Sequence, residues 1–360
     1  MTTVYENAIL ALIITSIITF IFIKTQSFHK SVTLDNYIGP QKIHLKDTTR
    51  IAGLALFINY IIINFFLPDQ ISKIMFVFLF SSIAAFLSGL LEDLTKKIKP
   101  LYRLLASILT GFTFTIIFDI KISNIDIDLL GFLFQNHIFS LSFTVLCIAL
   151  LVQSTNIIDG LNGLAIGYAI LVVVSIFLVS IKVEDEILKS LMIILLGGLV
   201  GIFIFNFPKP YIFLGDGGAY LIGALLSFSI IFFAVRNENI SPFYCSLLVL
   251  YPIYETIRSF FRRFFLSKSK SFSPDQMHLH SLIYKYLHIK LMTLNANSFA
   301  SFSILSSQIL LFTLGFYFFD NKWVLIIISL FFILFYELLY FKLSKILNFN
   351  NNYNIRRNSE

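Results

Sequence analysis

The sequence predicts an all-α polytopic membrane protein of about eleven transmembrane helices (10–11), and three observations carry that prediction. Of its 360 residues, 57% are hydrophobic, 42 are Phe and only 13% are charged, too little polar surface to coat a soluble domain of this length. Apolar runs of about 20 residues, the length a helix needs to cross a bilayer, recur from Ala8 to the end of the chain. Lysine and arginine gather in alternate connecting segments, the asymmetry that keeps basic loops in the cytoplasm. The net charge of +7 is explained by those loops without any nucleic-acid partner. Cys147 and Cys245 both fall in apolar runs, so no disulfide framework is expected.

In chain order the expected spans are 7–24, 51–67, 71–91, 104–120, 138–153, 164–182, 189–206, 220–236, 242–257, 298–319 and 323–344. The first, AILALIITSIITFIFIK, follows Glu6 without a basic segment and precedes no small-residue cleavage site, so it reads as a span and not as a signal peptide. Alternation then puts 25–50, 92–103, 154–163, 207–219, 258–297 and the tail from 345 on one face. Of the 27 Lys and Arg, only Lys73, Lys121, Lys182, Lys189, Arg236 and Lys322 stay opposite. The basic face is therefore read as cytoplasmic, with the N-terminus outside and the C-terminus inside. Among the opposite loops, KISNIDIDLLGFLFQNH (121–137) alternates like a small hairpin. Residues 1–344 are expected to form a single integral-membrane domain, and the Asn-rich 345–360 a disordered tail.

Every chemically unusual segment falls on the basic face. Glu92 and Asp93 end the third span; adjacent carboxylates repel and need a cation or basic neighbours, here Lys96, Lys97, Lys99 and Arg103. A headgroup anchor at the helix end would use the same residues. In NIIDGLNGLA, Asn156 and Asp159 share a face if the turn is helical, although a capped turn would look alike. In NFPKPYIFLGDGGAYLIG, Pro208 and Pro210 forbid a regular helix, and the glycines around Asp216 let backbone approach a ligand closely. Asp216 thus sits at a loop-to-helix junction suited to phosphate, where a hard oxygen ligand is what Mg²⁺ selects. A tight turn capped by Asp216 is the alternative. The last basic loop carries Arg262 and Arg263 ahead of His278 and His280. Without further ligands at structural-zinc spacing, that H-x-H on a basic loop points to phosphate contact. Amphipathic membrane-surface packing by Phe264 and Phe265 would explain part of the same stretch. Lys42 and His44 are a cation and a titratable ring in the first loop.

Taken in order, these segments resemble the polyprenyl-phosphate N-acetylhexosamine-1-phosphate transferase family (glycosyltransferase family 4), which includes O-antigen and teichoic-linkage initiating enzymes and phospho-N-acetylmuramoyl-pentapeptide transferase. NIIDGLNGLA is similar to the family's N-x-x-D-G-x-x-G-L signature, NFPKPYIFLGDGG to its F-N-x-x-P…F-x-G-D-x-G segment, and PDQMHLHSL to the histidine motif of the O-antigen-type branch. QKIH with the later AGLAL resembles the first cytoplasmic motif. The family's aspartate pair is Glu92-Asp93 here, and the run of adjacent histidines of the peptidoglycan branch is missing, which argues against a muramoyl-pentapeptide substrate.

The resemblance implies a UDP-N-acetylhexosamine donor, a polyprenyl (undecaprenyl) phosphate acceptor, UMP as leaving product, Mg²⁺ as cofactor with Mn²⁺ able to substitute, and a bacterial cytoplasmic membrane location serving lipopolysaccharide or cell-wall polymer synthesis. A homodimer is compatible with it. The site residues expected are Asp93, Glu92, Asp159, His278 and His280 for catalysis. Lys42, His44, Arg103, Asn156, Asn206, Phe213, Arg262 and Arg263 are expected to bind substrate, and Asp216 to bind metal. A lipid-linked-sugar transporter or flippase is the competing reading; it predicts charges near the bilayer midplane, whereas most ionisable residues lie at span ends or in loops, with Glu337 the main exception.

Overall fold

Long apolar segments can lie in hydrocarbon only if their backbone groups bond to one another, which a helix achieves within itself. The computed structural model describes residues 4–35, 48–266, 277–291 and 295–357. It contains α1 (Val4–Lys24), α2 (Gln26–Thr33), α3 (Ala52–Asn64), α4 (Asp69–Thr95), α5 (Pro100–Phe118), α6 (Asp128–Phe134), α7 (His137–Ile158) and α8 (Leu164–Lys182). There follow α9 (Glu186–Asn206), α10 (Gly215–Arg236), α11 (Pro242–Leu247), α12 (Leu250–Leu266), α13 (Leu279–Leu291), α14 (Ala296–Tyr317) and α15 (Lys322–Arg357). The two-residue strands β1 (Leu34–Asp35) and β2 (Thr48–Thr49) pair antiparallel, with Leu34 opposite Thr49.

The protein is all-α and polytopic: among the described residues, nine helices are long and apolar enough to cross a membrane. They are α1, α4, α5, α7, α8, α9, α10, α14 and α15. The two other expected spans differ for local reasons. Helix α3 stops after 13 residues, because Phe65 and Phe66 switch to i→i+3 bonds onto Ile62 and Ile63 just before Pro68. The run 242–257 breaks between α11 and α12. Pro252 has no N–H for the carbonyl of Leu248 and its ring crowds that oxygen; the Tyr168 hydroxyl donates to it instead, at 2.7 Å.

The loop 121–137 holds no strand. Asp126 takes a left-handed φ of 55° with its N–H on Asn124 Oδ1 at 2.7 Å, which ends the alternation, and α6 follows. The backbone of 345–357, expected as a disordered tail, continues α15; extending an existing helix avoids the cost of nucleating one.

Helix α10 is the centre, buried almost throughout, as expected of a helix apolar all round. It packs on α3, α4, α7 and α8. Small residues set the distances. A Cβ on Gly53 would lie 2.2 Å from Gly218 Cα, and one on Gly89 2.6 Å from the Asp216 backbone, so α3 and α4 meet α10 backbone to backbone. A carboxylate ties each end of α10. At its C-terminal end Asp185 caps α9 through Leu188 N at 3.1 Å and receives Arg236 at 2.8 and 3.1 Å. Burial would raise the Asp185 carboxyl, but the Arg236 and Leu188 bonds hold it below its usual range.

Candidate active site

The N-terminal end of α10 is tied by Asp93. A helix start leaves unpaired N–H groups and a partial positive charge. Asp93, at the end of α4 and only 4% exposed, accepts from Asp216 N at 3.0 Å and Gly217 N at 2.9 Å. Gly215 makes this contact possible. Its φ is +77°, and a Cβ there would lie 2.4 Å from the Arg50 carbonyl oxygen and 2.6 Å from Asp93 Oδ2. The adjacent Glu92 takes another direction: its Oε2 accepts from Ile98 N at 2.8 Å and closes the turn into α5.

Asp216 stands at the loop-to-helix junction expected of it, in the first turn of α10. Its carboxylate receives Arg103 Nη1 from α5 at 2.6 Å. Tyr220 lies within electrostatic reach of Arg103 and Asp216, and its hydroxyl is 3.5 Å from Asn156 Nδ2. Asn156 and Asp159 share the last turn of α7. Loss of surrounding water pushes the Asp159 carboxyl well above the usual carboxylate range; Arg50 opposes that shift, and the Asp216 and Asp93 carboxylates add to it. Asp93, Asp159 and Asp216 therefore form one electrostatic cluster with Arg50 and Arg103, drawn from α4, α5, α7, α10 and the segment before α3.

The histidine segment forms a second group. His278 Nδ1 lies 2.9 Å from Glu255 Oε1, and the His278 and His280 rings stack at 5.3 Å and 5°. His280 reaches the Asp159 loop: a Cβ on Gly160 would fall 2.5 Å from His280 Nε2. Burial would raise Glu255, but bonds from His278 and Tyr336 and the nearby His280 ring hold it below its usual range. Arg262 and Arg263 lie toward the C-terminal end of α12, where Arg262 donates to Ser259 Oγ at 3.4 Å.

Two residues expected to contact substrate also make bonds to the backbone of neighbouring segments. Asn206 accepts from Gly163 N and donates to the Ile212 carbonyl, both at 2.7 Å, so its amide staples the 154–163 loop to the segment before α10. Phe213 is half-buried and its backbone pairs with Thr49 and Ala52 at 2.8 and 3.1 Å. Lys42 and His44 lie outside the described residues. Glu337, unexplained by the sequence, accepts from Arg258 at 2.6 and 3.1 Å and from Tyr254 at 2.8 Å. Arg50, Tyr220 and Glu255 escape motif reading; only the aspartates and histidines that they serve stand inside recognisable signatures.

Among the described residues, no group of three or more His, Cys, Asp or Glu is placed to hold a metal ion. The donor chemistry still fits Mg²⁺, which commonly takes one or two carboxylates and fills its shell with water and substrate phosphate. Asp159 and Asp216 are such carboxylates, close enough to perturb one another.

A bundle of membrane-length helices gathering three aspartates, two arginines and a histidine segment defines an integral-membrane protein with a polar centre at its helix ends. Residues 75–234 match the model of glycosyl transferase family 4, and that stretch holds all three aspartates. The chain is 28% identical over 274 residues to the undecaprenyl-phosphate alpha-N-acetylglucosaminyl 1-phosphate transferase of Thermotoga maritima, covering 76% of this chain and 78% of that one. It is 25% identical over 244 residues to a probable undecaprenyl-phosphate N-acetylglucosaminyl 1-phosphate transferase of Bacillus subtilis, covering 67% and 66%. A phospho-N-acetylmuramoyl-pentapeptide-transferase of Streptococcus thermophilus matches at 26% over 168 residues, 46% of this chain and 49% of that one. These matches agree with the family that its motifs resemble.

Proposed function

We propose that this protein transfers N-acetylhexosamine 1-phosphate from a UDP-sugar to a polyprenyl phosphate in the bacterial cytoplasmic membrane, releasing UMP. One observation carries the reading: the three aspartates of the matched family segment converge with Arg50 and Arg103 at the ends of membrane helices. A lipid phosphate and a water-soluble donor must meet at such a boundary. An acceptor phosphate oxygen bonds to the sugar-bearing β-phosphorus, the bond from that phosphorus to the bridging oxygen breaks, and UMP leaves with the electron pair. The lipid product carries a sugar diphosphate, the starting unit of a surface polysaccharide such as O-antigen or a cell-wall polymer.

Two anions approach in this reaction, so positive charge has to be in place beforehand. Arg50 and Arg103 supply it from the protein. Mg²⁺, or Mn²⁺ in its stead, at Asp216 and Asp159 would add charge beside the diphosphate. Asp93 holds the N-terminus of α10 so that the Asp216 carboxylate and the helix's positive end stay fixed. His280 reaches the Asp159 loop, where it can donate to donor phosphate, His278 stacked on it can accept from a sugar hydroxyl, and Phe213 is the candidate to pack on uracil. The basic face is the cytoplasmic one in this reading.

Purified protein incubated with UDP-N-acetylglucosamine and undecaprenyl phosphate should release UMP and yield a lipid-linked sugar diphosphate. Movement of lipid-linked sugar across vesicles without UMP release would support the transporter reading and overturn this one.

A further inference from the structure

Glu255 is buried and saturated, and it has no part in the reaction just described. Glu255 is 2% exposed. Its carboxylate takes four contacts: His278 Nδ1 at 2.9 Å, Leu279 N at 3.2 and 3.3 Å, and the Tyr336 hydroxyl at 2.6 Å. Each comes from outside α12. Leu279 opens α13, so the carboxylate also meets the N–H-rich start of that helix, while Tyr336 belongs to α15. One turn further along, Arg258 reaches Glu337 at 2.6 Å and lies 3.2 Å from the Tyr340 ring centroid. Burying an ionised carboxylate is costly unless such donors surround it.

Its chemistry dictates the state of the histidine. An ionised carboxylate only accepts, so the Nδ1 facing it carries the proton, and in the neutral ring Nε2 becomes the acceptor. The stacked His280 transmits that ring's position to Gly160, beside Asp159.

We infer that Glu255, supported by Tyr336, is a positioning residue that fixes the Nδ1–H tautomer and the orientation of His278, and through the stacked pair sets the histidine segment against the Asp159 loop. Glu255 acts through His278 and touches no reacting atom. The inference rests on the proposed transfer only where it concerns turnover; the tautomer belongs to the folded protein alone.

The test uses full-length protein in detergent, with ring ¹⁵N-labelled histidine and the His278 signals assigned by their loss in His278→Gln. Wild-type His278 should show the Nδ1–H signature in its neutral form without any substrate. Glu255→Gln, whose amide can donate as well as accept, should convert it to a mixture or to Nε2–H. In the UMP-release assay the same variant should lose about 10- to 100-fold in kcat, the range set by outer partners of functional histidines, with KM changed less. Glu255→Asp should recover part of both. Tyr336→Phe removes one hydroxyl from the group and serves if Glu255→Gln does not fold: it should broaden the tautomer signature and lower kcat less severely. An unchanged tautomer in whichever variant folds overturns the inference. Absence of UMP release by wild-type protein would instead overturn the proposed function and leave the tautomer result standing.

Discussion

Arg103 and Asp216, on helices α5 and α10, form a 2.6 Å ion pair in which each side chain is only 18% exposed. The helix-capping duty that a turn aspartate would carry is performed by Asp93 instead. Asp216→Asn should therefore keep the fold and lower UMP release about 100-fold, the scale of a lost preorganised charge. Raised Mg²⁺ or Mn²⁺ should restore part of the rate. A metal titration of the variant checks this; a near wild-type rate would mean that the carboxylate serves only Arg103.

Asp93 and Glu92 are neighbours with different duties, and their substitutions should separate. Asp93→Asn keeps one acceptor oxygen for two amides and removes the charge at the helix start. It should cost about 2 kcal/mol and abolish turnover. Glu92→Asp shortens only the contact to Ile98 and should retain much of the activity. Thermal melts and UMP release on the two variants decide; equal and complete loss in both would contradict the division.

Asp159 carries a linked prediction for pH. Its folded pKa is raised, so between the ordinary carboxylate range and that raised value the native state holds a proton that the unfolded chain has released. Stability from this residue thus falls as pH rises through that window. Asp159→Asn should melt higher than wild type at neutral pH while its turnover collapses. Melting curves across pH, paired with rates, test both halves, and a lower melting temperature at neutral pH would refute the sign.

Gly89→Ala places a methyl group 2.6 Å from the backbone of Asp216 and Gly217. Backbone cannot step aside as a flexible side chain can, so α4 and α10 must part. A loss of about 1–3 kcal/mol is expected, together with reduced turnover because Asp216 moves with its helix. Stability in detergent and kcat, measured on the same preparation, should fall together.

Fold class was legible because hydropathy and charge asymmetry are properties of the chain taken in order. Asp93, Asp159 and Asp216 were legible because each stands in a Gly-rich or paired-acid signature on one face. Hydropathy cannot see a proline ring, so 242–257 looked continuous although Pro252 frees the Leu248 carbonyl. A motif marks Asn206 but says nothing of where its amide turns, and here both ends turn to backbone. Glu255 was hidden because its partners are 23 and 81 positions away, in an apolar run where one acid has no local meaning. Glu337 had the same difficulty until Arg258 supplied its counter-charge.

Tyr336 and Glu337 reach back from α15, the last of the described helices, to hold α12. A ribosome has already delivered Asp93, Asp159 and Asp216 while Tyr336 is still unmade. Helices α4 to α10 can therefore gather the carboxylates during synthesis, N-terminal parts first, before the histidine segment has its final support. A nascent chain paused between α14 and Tyr336 would already hold every aspartate of the centre, while Glu255 would still lack the Tyr336 hydroxyl.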